Sequence, residues 1–291
     1  MKTVVTHSGN FHPDDVFAVA CVMLLEGEEN VEVVRTREEE VIRTADWVVD
    51  VGGEYDANSL RFDHHQHGAP IRENGIPYAA FGLVWRHFGE KIAGSAEVAR
   101  VVEERLCQAI DAPDNGVSLF DVNELEVEPV LLFHVLDSFK PVWGSDDDID
   151  KAFLEVVTFV KSFLERFISK ATGDQAMLTL VDEVYQSAED KSVLVFDVKI
   201  SSHALIKYPD VNVVIHPSIN GEEVVWSVSA IPKHHGTFEN RVTFPSAWGG
   251  LHNEELEEAS GIPGLLFCHK ARFICKARSK ESAIQAANQA K

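Results

Sequence analysis

The chain has 291 residues, 45% apolar and 25% charged, a composition typical of soluble globular proteins that are long enough for two domains. Its formal net charge of -21 repels polyphosphates at long range, which excludes a general nucleic-acid coating protein and requires local cations for any phosphate substrate. The longest apolar run, residues 16–25, is too short to span a bilayer, and His7 interrupts any signal-peptide core, so we expect a cytoplasmic protein. Buried reduced thiols are expected for the four cysteines, which lack C-x-x-C spacing: Cys21, Cys107, Cys268 and Cys275.

Short strands alternate with helices over the first 140 residues. Apolar runs predict strands at residues 2–6, 31–35 and 46–51 and a strand-like segment at 60–62. Helical periodicity predicts a helix that begins near Pro13, followed by helices at 37–45, 78–88 and 95–110, the last with Ser95 as its N-cap. This alternation favours an α/β layer built on a parallel sheet.

The remaining half of the chain is predicted to be mixed α+β. Ser145 and the three aspartates after it precede a clean apolar stripe from Ile149 to Phe167, which predicts a helix, and a second helical pattern covers residues 174–188. Strands are predicted at 193–198, 211–216, 224–231 and 271–277, and a helix at 280–290.

Histidine and aspartate side chains stand where the predicted strands and helices of the first half end or begin. They are His7, His12, Asp14, Asp50, His64 and either Asp111 or Asp114. Because the carboxyl ends of strands in an open α/β sheet converge on one crevice, we expect these side chains to meet there. Asp15 is explained equally well as an acid that complements the start of a helix, and turn chemistry alone can explain Asp114.

Imidazoles combined with several carboxylates predict a metal site. This ligand set suits Mn²⁺, Fe²⁺ or Zn²⁺, and the carboxylates would repel one another without cations of total charge near about +4, so two ions fit better than one. We expect two divalent cations, Mn²⁺ in the first place, with Mg²⁺, Fe²⁺ or Zn²⁺ as alternatives. A dinuclear site activates a hydroxide and neutralises charge on a phosphoryl group, which predicts phosphoester hydrolysis.

Four motifs in order resemble one family. They are His7-x-Gly9-x-Phe11-His12-x-Asp14-Asp15, Val49-Asp50-Val51-Gly52-Gly53-x-Tyr55-Asp56, Arg61-Phe62-Asp63-His64-His65-Gln66 and Asp111-x-x-Asp114-Asn115-Gly116. Together with Phe244-Pro245-x-x-Trp248-Gly249-Gly250-Leu251 near the end, they resemble the melanocyte-proliferating-gene type of exonuclease, a branch of the DHH phosphoesterase superfamily. The resemblance runs along nearly the whole chain.

The resemblance implies a doubly wound, mostly parallel DHH-type domain and a second α+β domain that closes over substrate, with 3′ to 5′ removal of nucleotides as the activity. Carried over by position, Asp50 bridges two ions, His7, His12 and Asp14 complete one site, and His64 and Asp114 complete the other, with Asp111 retained as a candidate ligand. His65 faces the scissile phosphate, and Asp63 orients an imidazole. The adjacent Asp14-Asp15 pair departs from the D-x-D spacing of the superfamily, which leaves open which of the two binds metal.

We expect three regions along the chain: a metal-binding catalytic domain at 1–140, a helical connector at 141–190 and an α+β substrate-binding domain at 191–291. Candidate substrate-binding residues in the last region are Lys233, Arg241, Gly249, Gly250 and Arg272. The two glycines would let backbone N–H groups approach phosphate closely. Alternating Lys270, Arg272, Lys276 and Arg278 would share one face of a strand, as substrate contacts or as a solvated sheet face.

The function that these observations favour is a divalent-metal-dependent exonuclease acting on RNA or single-stranded nucleic acid. A small-molecule phosphohydrolase, for cyclic dinucleotides or a nucleotide phosphate, is the competing enzyme hypothesis. A non-catalytic binding protein stabilised by metal is the third. We expect RNA or a short oligonucleotide as partner and no membrane, and a homodimer remains open.

Overall fold

In a computed structural model the chain forms two compact units, unit 1 at Met1–Gln175 and unit 2 at Ala176–Lys291. The structure describes residues 1–121, 124–125, 127–221 and 223–291. No helix in these ranges combines the length and the apolar character needed to cross a bilayer. The predicted division at residues 140 and 190 stays a prediction.

A five-stranded sheet forms the centre of unit 1. Its strands are β1 (Lys2–Thr6), β2 (Val31–Arg35), β3 (Trp47–Val49), β4 (Tyr55–Asp56) and β5 (Arg61–Phe62). The order across the sheet is β2-β1-β3-β5-β4, and every neighbouring pair is parallel except β4 with β5. The parallel α/β sheet predicted from the apolar runs is confirmed.

Helices cover both faces of this sheet. The helices of this part of the chain are α1 (Pro13–Glu26), α2 (Glu39–Thr44), α3 (Ala80–Ala93), α4 (Ala96–Val102), α5 (Gln108–Asp114), α6 (Leu132–Asp137) and α7 (Ile149–Ser187), of which α7 continues past Gln175 into unit 2. The larger core packs α1 and α3 against one face, whereas Val5, Val48 and Val51 pack under α2 on the other. The domain is therefore doubly wound, as expected.

Local sequence explains where the helices next to the site begin, and a change in helix type joins two of them. Pro13 occupies the first turn of α1, where its missing N–H has no intrahelical partner to lose. Ser95 caps α4, its Oγ accepting a hydrogen bond from the Val98 N–H at 3.2 Å. A π-helical turn at Glu103–Cys107 joins α4 to α5 without breaking the helix axis, and α5 ends at Asp114.

Unit 2 contains a mixed sheet. Its strands are β6 (Val193–Val195), β7 (Val213–Asn220), β8 (Glu223–Ala230), β9 (Leu265–Cys268) and β10 (Ile274–Ala277), in the order β6-β7-β8-β10-β9. Only β6 and β7 pair in parallel within this sheet. Helices α8 (Asn253–Ser260) and α9 (Lys280–Ala287) contribute buried residues to the core on one face. The α+β class predicted for this half is confirmed.

Several boundaries differ from the predictions. The two helical patterns predicted on either side of Gly173 form one helix, α7, because a single glycine weakens a helix without ending it. The strand predicted at 271–277 begins only at Ile274, so Lys270 and Arg272 lie in the turn before it. Helix α8 and strand β9 were not predicted, because acids dominate the first and Gly264 directly precedes the second. All four cysteines are buried free thiols, as expected.

Candidate metal centre

The strand ends of unit 1 bring the predicted ligands to one edge of the sheet. His7 follows β1, Asp50 follows β3, and Asp63, His64 and His65 follow β5. Asp50 has a φ of 54°, a left-handed conformation that is uncommon outside glycine, although asparagine and aspartate adopt it more readily than other residues. Such strain is maintained at functional sites when the surrounding structure enforces it, and here it turns the carboxylate out of the strand.

The first group of side chains joins His7, Asp15 and Asp50, whose nearest ligand atoms all lie within 4.8 Å of one another. His7 Nε2 lies 3.2 Å from Asp15 Oδ2 and 3.2 Å from Asp50 Oδ2. On the other side of the ring, His7 Nδ1 lies 3.2 Å from the Ser8 carbonyl oxygen. A proton on Nδ1 donated to that carbonyl leaves the Nε2 lone pair facing the carboxylates, which is the tautomer that binds metal.

The second group joins Asp50, His64 and His65. His64 Nε2 lies 3.3 Å from Asp50 Oδ1, the carboxylate oxygen that does not face His7. His65 Nδ1 lies 3.6 Å from the same oxygen, and its side chain is 65% exposed. The two oxygens of Asp50 therefore point to different histidine groups.

The third group joins His12, Asp14 and Asp114 at the start of α1 and the end of α5. His64 connects this group to Asp50, because its Nε2 also lies 3.3 Å from Asp114 Oδ2 and 3.7 Å from Asp14 Oδ2. The two adjacent aspartates thus enter different groups. Consecutive helical residues point about 100° apart, so Asp15 faces His7 whereas Asp14 faces His12.

The sequence left open whether Asp14 or Asp15 binds metal, and in the structure the Asp15 carboxylate makes two kinds of contact. One oxygen, Oδ1, accepts a hydrogen bond from the His12 N–H at 3.0 Å, which caps α1. The other oxygen, Oδ2, faces His7. Only the three-dimensional arrangement separates these roles, because a capping acid and a metal ligand look the same in the sequence.

The pKa values of the three buried carboxyl groups, Asp14, Asp15 and Asp50, are shifted in different directions. Burial, with the charge of Asp50, raises the pKa of Asp15 to about 7 and that of Asp14 well above its usual range. Burial also opposes ionisation of Asp50, but its close contacts with the His64 and His7 imidazoles outweigh burial and lower its pKa to about 2. The pKa values of His7 and His64 are raised, because their carboxylate contacts outweigh burial.

Several buried polar atoms of these groups have no hydrogen-bond partner. They are both carboxylate oxygens of Asp14, Oδ2 of Asp15, Oδ1 of Asp50 and Nε2 of His64. A buried polar atom without a partner costs stability, and five of them aimed at one volume call for a ligand that accepts several lone pairs. Divalent cations fit this donor set of carboxylate oxygens and imidazole nitrogens.

Asp63 lies behind this edge and holds the backbone around it. Its side chain is 2% exposed, and Oδ1 accepts from the His64 N–H at 2.7 Å and the His65 N–H at 3.2 Å. The same oxygen lies 2.7 Å from His65 Nδ1, and Oδ2 accepts from the Gly53 N–H at 2.6 Å. Gly53 has a φ of 68°, a left-handed backbone conformation that favours glycine. Asp63 thereby fixes the His65 ring and leaves its Nε2 free.

Asp111 lies apart from these groups. Its buried carboxylate accepts from Arg72 Nη2 at 2.7 Å and from the Gly82 N–H at 3.2 Å. Burial raises the pKa of Asp111 to about 7, while the Arg72 guanidinium acts in the lowering direction. A Cβ at Gly82 would stand 1.8 Å from Asp111 Oδ2, so this contact requires glycine. The carboxylate ties α5 to α3 and to the loop that carries Arg72.

A polar cavity of about 740 Å³ opens over the first two groups. Beside His7, His12, Asp50, His65 and Asp114, its walls include Ser8, Asn10, Arg37 and Gln66. Arg37 is exposed and has no carboxylate partner in the part of the chain that the structure describes. No motif in the sequence indicates Arg37, because it stands next to three acids just before a short helix.

The candidate substrate residues of unit 2 occupy three different settings. Arg241 donates to the carbonyl oxygens of Ile206, Tyr208 and Val211, so its guanidinium is used to close a turn. Lys233 is exposed and pairs with Glu239 at 3.1 Å.

Gly249 and Gly250 lie beside Arg272. A Cβ at Gly249 would come within 3.1 Å of the Lys270 carbonyl oxygen and 3.3 Å of Arg272 Cγ, so the chain packs closely at this glycine. The Arg272 guanidinium donates to the Phe244 carbonyl oxygen at 3.2 Å. The predicted roles of these residues in substrate binding stay predictions.

Comparison with known proteins extends the match to the whole chain. The family model for MYG1 exonuclease, described as uncharacterised protein family UPF0160, matches residues 3–290. A pGpG-specific phosphodiesterase from Vibrio cholerae aligns over 99% of this chain and 100% of its own, with 16% identity and a TM-score of 0.34. A structural similarity of that level identifies neither fold nor function.

Curated relatives are similar over most of their length. MYG1 exonuclease of Bos taurus is 30% identical over 97% of this chain and 82% of its own, and that of Rattus norvegicus is 29% identical over the same shares. A MYG1 protein of Schizosaccharomyces pombe is 27% identical over 99% of this chain and 96% of its own. With a family model matched from residue 3 to residue 290, the chain belongs to the MYG1 exonuclease family.

Proposed function

We propose that this protein is a divalent-metal-dependent phosphodiesterase that removes nucleotides from the 3′ end of RNA or other single-stranded nucleic acid. Its similarity to proteins known as MYG1 exonucleases supports an exonuclease. The chemistry of the polar cavity supports a metal-dependent hydrolase independently of those names.

One observation carries the proposal: the Asp50 carboxylate faces two histidine groups with its two oxygens. Oδ2 faces His7 and Asp15, and Oδ1 faces His64, whose Nε2 also faces Asp114. A carboxylate in this position can hold one cation on each side. We expect His7, Asp15 and Asp50 to hold one ion, and Asp50, His64, Asp14 and Asp114 to hold the other, with His12 beside them.

Such a pair of cations, when bound, lowers the pKa of a water molecule and neutralises charge on a phosphoryl group. The protein contributes fixed groups around it. His65 is exposed to the polar cavity, and Asp63 fixes its ring through Nδ1, so the doubly protonated ring can donate its Nε2 proton to a phosphate oxygen or to the leaving oxygen.

Arg37 supplies the local cation that a chain with a net charge of -21 requires for a phosphate substrate. A guanidinium binds a phosphate through two parallel hydrogen bonds, which fixes the orientation of the scissile group. Ser8 and Asn10 line the same cavity and offer further hydrogen bonds to substrate.

Purified protein with Mn²⁺ or Mg²⁺, offered 5′-labelled RNA, single-stranded DNA and cyclic dinucleotides, tests this function. A ladder of products shortened from the 3′ end, lost in Asp50→Asn and retained in Asp46→Asn, is the expected result. Asp46 is the matched control because it stands on the other end of β3, paired with Lys2 at 3.2 Å. Cleavage of cyclic dinucleotides alone would replace the exonuclease with a small-molecule phosphohydrolase. Metal binding without hydrolysis would indicate a binding protein.

A further inference from the structure

An apolar cavity of about 610 Å³ lies beside the metal centre in unit 1. Its volume is within the range of small-molecule sites, which is about 300–1,000 Å³. His12 and Asp114 line both this cavity and the polar cavity over the metal groups. A molecule that reaches the third metal group can therefore extend into an apolar space without leaving the protein.

One helix face connects the two cavities. Leu106, Ile110 and Asp114 follow one another at intervals of four residues, so each stands a little over one turn, about 6 Å along the axis, from the next. The π-helical turn at Glu103–Cys107 contains Leu106 and sets the position of this wall. Turns of this kind occur frequently at functional sites, where they rotate side chains out of the regular helical register.

The other walls combine aromatic, aliphatic and cationic side chains. Phe133 on α6 and Phe163 on α7 face the cavity, and Leu132 lies beside them. Arg105 also lines it, is exposed, and has no carboxylate partner among the residues that the structure describes. Aromatic rings and an unpaired guanidinium are the groups on which nucleic-acid bases stack.

We propose that this cavity binds the terminal nucleoside of the substrate, with its base between the apolar walls while the scissile phosphate lies in the polar cavity. This inference rests on the proposed function and names the part of the substrate that this cavity recognises.

A substitution that fills the cavity tests the proposal. Ala109 lines the cavity and is exposed, so Ala109→Trp places an indole there without overpacking the core. Ala96→Trp is the matched control, because Ala96 is an exposed helical alanine that does not line the cavity. Both variants are expected to fold and to bind Mn²⁺ as the wild type does.

The substrates are two 5′-labelled oligonucleotides that differ only at the 3′ end, one with a terminal adenosine and one with an abasic residue there. We expect the wild type and Ala96→Trp to prefer the adenosine substrate by about 5- to 150-fold in kcat/KM, the range for stacking of one base. Ala109→Trp is expected to lose this preference while its rate on the abasic substrate changes by less than about threefold. Equal rates of the wild type on both substrates, or an unchanged preference in Ala109→Trp, would overturn the proposal.

A binding measurement tests the base site independently of exonuclease activity. Calorimetry compares adenosine 5′-monophosphate with ribose 5-phosphate on the Mn²⁺-loaded protein, and we expect tighter binding of the nucleotide that is lost only in Ala109→Trp. Absence of hydrolysis on both oligonucleotides refutes the exonuclease, whereas equal binding of the two small molecules refutes the base site. A dimer in solution that Ala109→Trp alone dissociates would assign the cavity to a second copy of the chain instead.

Discussion

Replacing Asp50 with asparagine is expected to abolish the binding of both cations together. Asp50 contributes one oxygen to the group of His7 and Asp15 and the other to the group of His64. Asparagine keeps the shape of the side chain, removes its charge and turns one oxygen into an N–H donor, which cannot bind a cation. Both groups lose a ligand, whereas a substitution of Asp114 removes a ligand from one group only.

The magnitude follows from linkage between metal binding and folding. A ligand present at 100 times its Kd stabilises the folded state by about 2.7 kcal/mol, so two ions add roughly 5 kcal/mol. In a unit of this size, residues 1–175, each kcal/mol added to the free energy of unfolding raises the Tm by about 2–4 °C. Saturating Mn²⁺ is therefore expected to raise the Tm of the wild-type unit by roughly 10–20 °C, and that of Asp50→Asn by almost nothing.

The assay is calorimetric unfolding of each variant with and without Mn²⁺, combined with a metal titration that counts ions. Taking the difference for each variant removes the effect of the substitution on the metal-free protein. Asp114→Asn is expected to lose part of the increase in Tm, and Asp46→Asn, which carries the same charge change outside the site, is expected to keep all of it. An Asp50→Asn protein that still binds one Mn²⁺ tightly and keeps half of the increase would refute the bridging role.

Three further predictions concern activity and pH. Arg37→Ala is expected to lower kcat/KM by about 10- to 100-fold through lost hydrogen bonds to a charged phosphate, with Arg43→Ala on the exposed face of α2 as the control. Asp63→Asn is expected to lower kcat about 10- to 100-fold with the metal count unchanged, measured by steady-state kinetics and metal titration. Because burial raises the pKa of Asp15 to about 7, Mn²⁺ affinity is expected to fall as the pH drops below 7, and binding at pH 6.5 is expected to release protons, measured by calorimetry in two buffers. For the metal-free protein, the same raised pKa means stability that is present below about pH 4 and is lost as the pH rises through 7.

The fold of unit 1 was predictable because its elements depend on local patterns. The strands at Lys2–Thr6 and Val31–Arg35 match the apolar runs residue for residue, and Ser95 caps α4 as its position predicts. Element ends were less predictable, since packing decides them. The continuous helix Ile149–Ser187 passes through Gly173 because propensity alone does not end a helix.

The sequence predicted where the site lies better than it predicted the role of each side chain. The strand ends indicated that His7, Asp50 and His64 meet. In the structure the Asp50 carboxylate lies 3.2 Å from His7 Nε2 and 3.3 Å from His64 Nε2. The sequence did not separate Asp111 from Asp114, because both stand at the end of one helix. Only packing shows that Asp111 is paired with the buried Arg72 whereas Asp114 faces His64.

The arrangement that makes the site suitable for cations also makes it costly without them. Asp14 and Asp15 are fully buried at the start of α1, close to Asp50, and several of their oxygens have no partner. A fold retains such a cluster only where a ligand offsets the repulsion, since each unpaired buried acid lowers stability or takes up a proton. Asp50 stays ionised because His7 and His64 face it from opposite sides, so a negative charge stands between the two groups. The first cation to arrive is therefore expected to bind at Asp50, and by drawing protons from Asp14 and Asp15 it prepares the position for the second.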